Sequence, residues 1–247
     1  MSRNVVDKIL VICFPFAGGT GRFFDILEED LPNHIELVKL EYSGHGNRIR
    51  EPLYKSFDEL AADLYPQICD LLSRRAWCKF ALLGYSMGCI SAFAVLQKMI
   101  EEESPHLPVH VFFAAHPPKQ LLEIQDMQGD ILIDWVKKRT ISFGAVPNEL
   151  IHNRAFWSLY LPIYMADYKM ISIYDLEHIH FTCDIPMTVF YVEEDTSLED
   201  MKRWMKYFTG AVRFVKYEGT HFFIQQHYRD MMRIICRHLN NELTSKI

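Results

Sequence analysis

A serine between two glycines stands where an apolar run gives way to a helical pattern. The run FALLGY occupies residues 80–85, and residues 84–88 spell Gly-Tyr-Ser-Met-Gly. A buried strand that turns sharply into a helix at such a motif presents its serine hydroxyl as a nucleophile. Side chains at Gly84 and Gly88 would collide in so sharp a turn. The alternative is a tight turn in which Ser86 only caps the helix, since about one chain in ten of this length carries the motif by chance.

A serine hydroxyl needs a base, and the chain offers eleven histidines. Where this motif is catalytic, the chain order is serine, acid, histidine. His221 is the best candidate, because it lies in YEGTHFFI after the last apolar run, at the start of the last helical pattern, and Gly219 allows a turn there. The other histidines fit packing, solvated or lid positions better; they include His116, His178, His180, His227 and His238.

The base in turn needs an orienting carboxylate. Asp195 follows the penultimate apolar run, in VEEDTS, and leaves room for one helix and one strand before His221. Glu194 and Asp200 are the alternatives, although Asp200 is better placed to satisfy a helix N-terminus after Ser197. The predicted catalytic residues are therefore Ser86, Asp195 and His221.

An oxyanion hole requires two backbone donors, one of them the N–H of the residue after the nucleophile, Met87. The second should come from the glycine loop, which is FPFAGGTG at residues 14–21, with Phe16 favoured over Ala17. The alternative is a glycine-rich turn that binds nothing. A phosphate-binding loop is excluded because the loop lacks G-x-x-x-x-G-K-[ST].

Six short apolar runs must position these residues. Most of them are nearly continuous in hydrophobicity, as in parallel strands that are buried on both faces. They occupy residues 9–14, 35–41, 80–85, 109–115, 187–192 and 212–217. Helical patterns alternate with them at 56–72, 87–103, 197–208 and 221–239, and Pro66 could kink or divide the first. This alternation predicts a single α/β domain over residues 1–247, with helices on both faces of a parallel sheet.

The alternation is interrupted by the insert, residues 116–184, which contains helical stretches at 129–139 and 153–177 but no convincing strand. So long a segment between two strands predicts a functional lid. The insert is rich in aromatic residues. Most should pack within it, and a minority should line an apolar substrate channel.

Composition excludes several classes of protein. The chain has 247 residues and a net charge of −6, which argues against nucleic-acid binding, and the basic stretch WVKKRT at 135–140 is better explained as a solvated helix end. No run is long and apolar enough to span a membrane. The six cysteines form no C-x-x-C pair or zinc spacing, which predicts no metal site and a reducing, cytoplasmic location. The short apolar stretch near the N-terminus is predicted to be the first strand rather than a signal peptide.

Five segments together resemble the type II thioesterases of nonribosomal peptide and polyketide synthesis. They are CFPFAGGTGRFF, LEYSGHGNRIREP, LLGYSMGCISAF, LPIYMADYKMISIY and YEGTHFFI, and they follow in order over nearly the whole chain. The resemblance implies an α/β-hydrolase fold, with Ser86, Asp195 and His221 at the catalytic positions, Met87 and Phe16 at the oxyanion positions and the insert as the lid.

The resemblance also implies a reaction. Such enzymes hydrolyse acyl or aminoacyl thioesters from the phosphopantetheine arm of carrier-protein domains, so the partner carries the 4′-phosphopantetheine and the enzyme needs no cofactor. A monomer is expected. The rival functions are a small-molecule esterase on the same fold and a non-catalytic carrier-binding module.

The chain departs from the family pattern at three places. Ser43-Gly44-His45-Gly46 stands where Pro-Gly-Arg-Gly is usual, although Arg48 matches. Val192 replaces a glycine before the loop of the acid, and His116 replaces a basic segment near the start of the lid. None of these changes removes a predicted catalytic group.

Overall fold

The computed structural model describes residues 8–29, 31–75, 78–119, 122, 124–176 and 179–244, with side chains described up to residue 240. His178 lies outside the described residues. All six predicted strands are present and form one parallel sheet in the order β2-β1-β3-β4-β5-β6. Their bounds are β1 Ile9–Phe14, β2 Ile35–Lys39, β3 Lys79–Tyr85, β4 His110–Ala114, β5 Met187–Val192 and β6 Val212–Tyr217.

The central strands are buried on both faces, which explains their continuous hydrophobicity. In β1, Leu10 and Ile12 point into one core, whereas Val11 and Cys13 point into the other. The two edge strands, β2 and β6, are only partly buried. The predicted α/β architecture is thus confirmed, and the carboxyl ends of β1, β3, β4 and β5 meet along one edge of the sheet.

Helices cover both faces of the sheet. Those described are α1 Phe57–Ser73, α2 Met87–Glu101, α3 Gly129–Ser142, α4 Arg154–Ile173, α5 Leu198–Lys202 and α6 Ile224–Thr244. Short 3₁₀ helices occupy Gly21–Glu28, Gly46–Arg48, Asn148–Leu150 and Arg203–Lys206. Buried residues of α1 and α2 belong to one core, and those of α6 belong to the other.

Three helical predictions need correction. Helix α1 continues through Pro66, so the proline does not divide it. The pattern at 197–208 is not one helix but α5 followed by a 3₁₀ helix. The last helix begins at Ile224 rather than at His221, which lies in a turn that Gly219 enters with a φ of 124°.

Helices α3 and α4 lie between β4 and β5, within the insert, and pack against each other. Among the described residues of the insert, the β structure is limited to an isolated bridge between Cys183 and Phe208. The expectation of a helical insert without a regular strand therefore agrees with its described part, and its role as a lid stays a prediction.

No helix in the described part of the chain combines the length and hydropathy needed to cross a bilayer. Within the same ranges, no group of three or more His, Cys, Asp or Glu side chains is placed to hold a metal ion. All six cysteines are free thiols.

The buried His110 should make stability depend on pH. Its Nε2 lies 3.0 Å from Thr188 Oγ1, and burial, with a smaller effect of His238, lowers the pKa of His110 to about 3. The unfolded chain takes up a proton here below pH ~6.5, and the native state does not. The free energy of unfolding should therefore fall with decreasing pH by up to ~1.4 kcal/mol per pH unit from this residue. His110→Gln should reduce the slope by that amount in denaturant titrations between pH 6 and 4; an unchanged slope would contradict the assignment.

Candidate active site

The elbow, residues 84–88, joins the end of β3 to the start of α2. Ser86 has a φ of 54° and a ψ of −122°, a backbone conformation that L-residues rarely adopt. Its N–H donates to the carbonyl of Ala114 at 2.8 Å, which fixes the turn to the neighbouring strand. Strain of this kind, held by surrounding structure, is typical of functional turns.

Both glycines of the elbow are required by close contacts. A Cβ on Gly84 would lie 2.5 Å from the carbonyl oxygen of Gly88, and a Cβ on Gly88 would lie 2.0 Å from that of Phe14. The predicted crowding is therefore present, but it involves backbone atoms rather than two facing side chains. Because Gly88 has no side chain, the elbow packs directly against the end of β1, where the glycine loop begins.

The structure brings Ser86, His221 and Asp195 together. His221 Nε2 lies 2.9 Å from Ser86 Oγ, and His221 Nδ1 lies 2.7 Å from Asp195 Oδ2. Since a carboxylate only accepts hydrogen bonds, Nδ1 carries the proton, and Nε2 is left to accept the serine hydroxyl. The three side chains therefore have the geometry of a nucleophile, a general base and an orienting acid.

The alternative acids and histidines lie elsewhere. Glu194 is exposed, and Asp200 accepts the hydroxyl of Ser197 at the start of α5. His227 Nε2 and His238 Nδ1 each contact a backbone carbonyl, of Glu218 and Ile234 respectively. None of these groups joins the Ser86 arrangement.

His116 is also close enough to the site for His221 and Asp195 to affect its pKa. It is buried, its Nδ1 lies 2.5 Å from the carbonyl of Pro117, and no described residue pairs with its Nε2. Burial lowers the pKa of His116 to about 4. The ring is therefore neutral near pH 7, with Nδ1 as donor, and does not compete with His221 as base.

The insert contributes a ring to the site that sequence reasoning did not single out. Phe143, at the end of α3, stacks on the imidazole of His221 with ring centroids 4.3 Å apart and planes inclined by 26°. The guanidinium of Arg139 lies 4.3 Å from the centroid of the same phenyl ring. The contact limits the orientations that the His221 ring can take.

Tyr85 is a second residue that sequence reasoning missed, although it lies inside the motif. Its hydroxyl donates to the carbonyl of His221 at 2.7 Å and accepts the N–H of Ile224 at 3.4 Å. The residue before the serine thus holds the turn that carries the histidine. Its position at the buried end of a strand was the available signal, since a buried tyrosine hydroxyl needs a partner.

Tyr85→Phe should lower kcat about tenfold with little change in KM, because the backbone at His221 loses a hydrogen bond worth ~1 kcal/mol and gains freedom to move. Steady-state kinetics on a thioester would measure this, and thermal unfolding would report the accompanying loss of stability. A stability loss with unchanged kcat would show that Tyr85 does not position the base.

The two predicted oxyanion donors start from neighbouring elements. Met87 is the first residue of α2, where N–H groups have no acceptor within the helix. Phe16 follows β1 in the glycine loop, whose backbone packs on Gly88 at Phe14 and Pro15. No hydrogen bond among the described residues uses the N–H of Met87 or Phe16. Their role as donors stays a prediction.

Comparison with known proteins places this geometry in a family. Residues 10–243 match the thioesterase domain family. The chain is 25% identical to gramicidin S biosynthesis protein GrsT of Aneurinibacillus migulanus, over 99% of this chain and 94% of that protein. It is 26% identical to the human medium-chain S-acyl fatty acid synthase thioesterase, over 90% of this chain and 83% of that protein.

Among solved structures, ClbQ from the colibactin NRPS/PKS pathway superposes with a TM-score of 0.80 at 23% identity, covering 95% of this chain and 98% of that chain. The expected α/β-hydrolase fold is thereby confirmed. The match of the family model over nearly the whole chain shows that this protein belongs to the thioesterase domain family.

Proposed function

We propose that the protein is a type II thioesterase, which hydrolyses acyl or aminoacyl thioesters from the phosphopantetheine arm of carrier proteins in nonribosomal peptide or polyketide synthesis. The observation that carries the proposal is the Ser86–His221–Asp195 arrangement on a strained elbow, in a chain of the thioesterase family.

In the first half of the reaction, Ser86 Oγ attacks the thioester carbonyl while its proton passes to His221 Nε2. The resulting oxyanion accepts hydrogen bonds from the N–H groups of Met87 and Phe16. The carbon–sulfur bond then breaks, and His221 returns the proton to the departing pantetheine thiol. An ester of Ser86 remains.

Water completes the cycle. His221 takes a proton from the water as it attacks the acyl-enzyme, and the collapse of the second oxyanion releases the carboxylic acid and reprotonates Ser86. A thiolate leaves more readily than an amine, so the demand on His221 as an acid is modest. The proposal requires no cofactor, because the substrate brings its own phosphopantetheine.

The choice of a carrier-bound substrate is supported by the relatives. Gramicidin S biosynthesis and fatty acid synthase appear in the names of two of them, and NRPS/PKS biosynthesis describes the pathway of the superposed structure. The expected partners are therefore acyl or peptidyl carrier domains. The free thiols support the predicted cytoplasmic location, and a monomer remains the predicted state.

The insert is assigned the role of a lid over the site. Its support is direct contact at two places: Phe143 stacks on His221, and Asp167 of α4 accepts the N–H of Gly18 in the glycine loop. A channel for the phosphopantetheine arm would then run between the insert and the sheet edge.

The proposal is tested by comparing the hydrolysis of three substrates that carry the same acyl group. They are the thioester of a carrier domain, the thioester of free pantetheine and a simple nitrophenyl ester. We expect kcat/KM to be highest for the loaded carrier. Faster turnover of the free ester would instead indicate a small-molecule esterase. Binding of carriers without turnover of any substrate would indicate a non-catalytic module.

A further inference from the structure

Two residues of helix α4 contact the glycine loop beside the predicted oxyanion hole. Asp167 Oδ2 accepts the N–H of Gly18 at 2.6 Å. The ring of Tyr164 packs so closely on Gly18 that a Cβ there would lie 2.1 Å from Tyr164 Cε1. Gly18 also has a φ of 73°, so both its backbone conformation and the space beside it require glycine. The loop therefore depends on α4 for its position.

His45 holds Asp167 from the other side. Its Nε2 lies 3.0 Å from Asp167 Oδ2, and its Nδ1 lies 3.0 Å from the carbonyl of Ser43. Both neighbours accept hydrogen bonds, so both ring nitrogens carry protons and the imidazole is positively charged. Burial opposes that charge, but Asp167 outweighs it and the pKa of His45 is raised. His45 and Asp167 thus form an ion pair whose side chains are each 2% exposed.

Tyr42 fixes the same loop at its other end. Its buried hydroxyl donates to the carbonyl of Pro15 at 2.9 Å, and its ring lies edge-on to His45 with centroids 5.5 Å apart. The carbonyl of Pro15 and the N–H of Phe16 belong to one trans peptide, in which the two groups point in opposite directions. Holding the carbonyl therefore sets the direction of the Phe16 N–H.

We infer that Tyr42, His45 and Asp167 form a clamp that positions the Phe16 N–H as an oxyanion donor. This inference rests on the proposed function. The clamp residues act as positioning residues, since they hold the loop on both sides of Phe16. Because Asp167 belongs to α4, the Gly18 side of the clamp is held only while the insert lies as it does here, whereas Tyr42 holds the Pro15 side from outside the insert. A displaced insert would leave the hydrogen bonds among Ser86, His221 and Asp195 in place, but the Phe16 N–H would be held on one side only.

Asp167→Ala tests the clamp, with Tyr168→Phe as its matched control. Tyr168 is the next residue on α4, and its hydroxyl contacts Thr140 rather than the loop. We expect Asp167→Ala to lower kcat for an acyl-pantetheine thioester ~10- to 100-fold with little change in KM, part of the loss that follows removal of a whole oxyanion donor. Tyr168→Phe should stay within about twofold of wild type.

Two inhibitors separate positioning from a merely structural role. An alkyl boronic acid forms a tetrahedral adduct on Ser86 with an oxygen in the oxyanion hole, whereas an S-alkyl pantetheine thioether binds without one. Asp167→Ala should weaken binding of the boronic acid ~10- to 100-fold and should leave the affinity for the thioether almost unchanged. Asp167→Asn keeps an oxygen that can accept the Gly18 N–H, so it should recover part of the boronic acid affinity.

Equal weakening of both inhibitors, or unchanged affinity for the boronic acid, would overturn the clamp. If Asp167→Ala fails to fold, His45→Gln replaces it in the same comparison, because His45 holds Asp167 in place. A wild-type protein that binds the boronic acid but hydrolyses no thioester would refute the proposed function, and the inhibitor comparison would still decide the clamp.

Discussion

Replacing Ser86 with alanine should lower kcat for a carrier-bound thioester by about 10⁴- to 10⁶-fold, because loss of the nucleophile removes the acyl-enzyme route altogether. The KM should change little, since the hydroxyl is small beside the rest of the substrate surface. Release of acid from a loaded carrier, followed by mass spectrometry, measures the effect over this range.

Ser73→Ala is the control, because Ser73 is an exposed serine at the end of α1 whose hydroxyl contacts only the carbonyl of Asp70 among the described residues. It should retain wild-type activity. Ser86→Ala should also keep the melting temperature within a few degrees, which excludes misfolding of the elbow as the cause. Retention of more than about a hundredth of the activity by Ser86→Ala would exclude Ser86 as the nucleophile.

Asp195→Asn should lower kcat by about 10³- to 10⁴-fold, although it changes the shape of the side chain very little. The amide can present an N–H toward His221 Nδ1, which favours the tautomer with a proton on Nε2. That nitrogen faces Ser86 Oγ at 2.9 Å and could then no longer accept its proton. The carboxylate also stabilises the imidazolium that forms in each half-reaction, and the amide does not.

Glu194→Gln is the matched control, since it makes the same chemical change at the adjacent, exposed carboxylate. Its kcat should equal that of the wild type. Inactivation by Glu194→Gln together with activity of Asp195→Asn would reverse the assignment of the acid and would require a different conformation of the loop after β5.

The sheet could be predicted from the sequence because parallel strands buried on both faces are continuously apolar. The run at 9–14 is an example: all six residues of β1 are buried, on alternating sides. The relative placement of Ser86, Asp195 and His221 followed from the same reasoning, since each lies just after a strand. Ends of parallel strands share one edge of the sheet, so residues distant in the chain meet there.

The supporting contacts could not be predicted because they depend on how the insert packs. Asp167 is one of several polar residues in α4, and nothing in the local sequence indicates that it reaches Gly18. Phe143 is one of many aromatic residues in the insert, and the sequence does not indicate that it stacks on His221. The sequence predicts too early a start for α6, because Phe222 and Phe223 continue the apolar pattern through the turn that precedes Ile224.

The aromatic rings of the insert lie in the core and beside the site residues. Trp157, Tyr164 and Tyr168 are buried in the core that the insert shares with the sheet, α1 and α2, whereas Phe156, Tyr160 and Tyr174 are partly buried against it. Phe143 and Tyr164 contact site residues His221 and Gly18. Whether some of the rings line an apolar channel stays a prediction.

Covalent labelling tests the central claim most directly. The intact protein would be treated with an alkyl fluorophosphonate, digested, and the modified residue mapped by mass spectrometry. The account predicts one adduct per chain, on Ser86, formed far more slowly in the Asp195→Asn variant. An unlabelled Ser86, or labelling of a different residue, would contradict it.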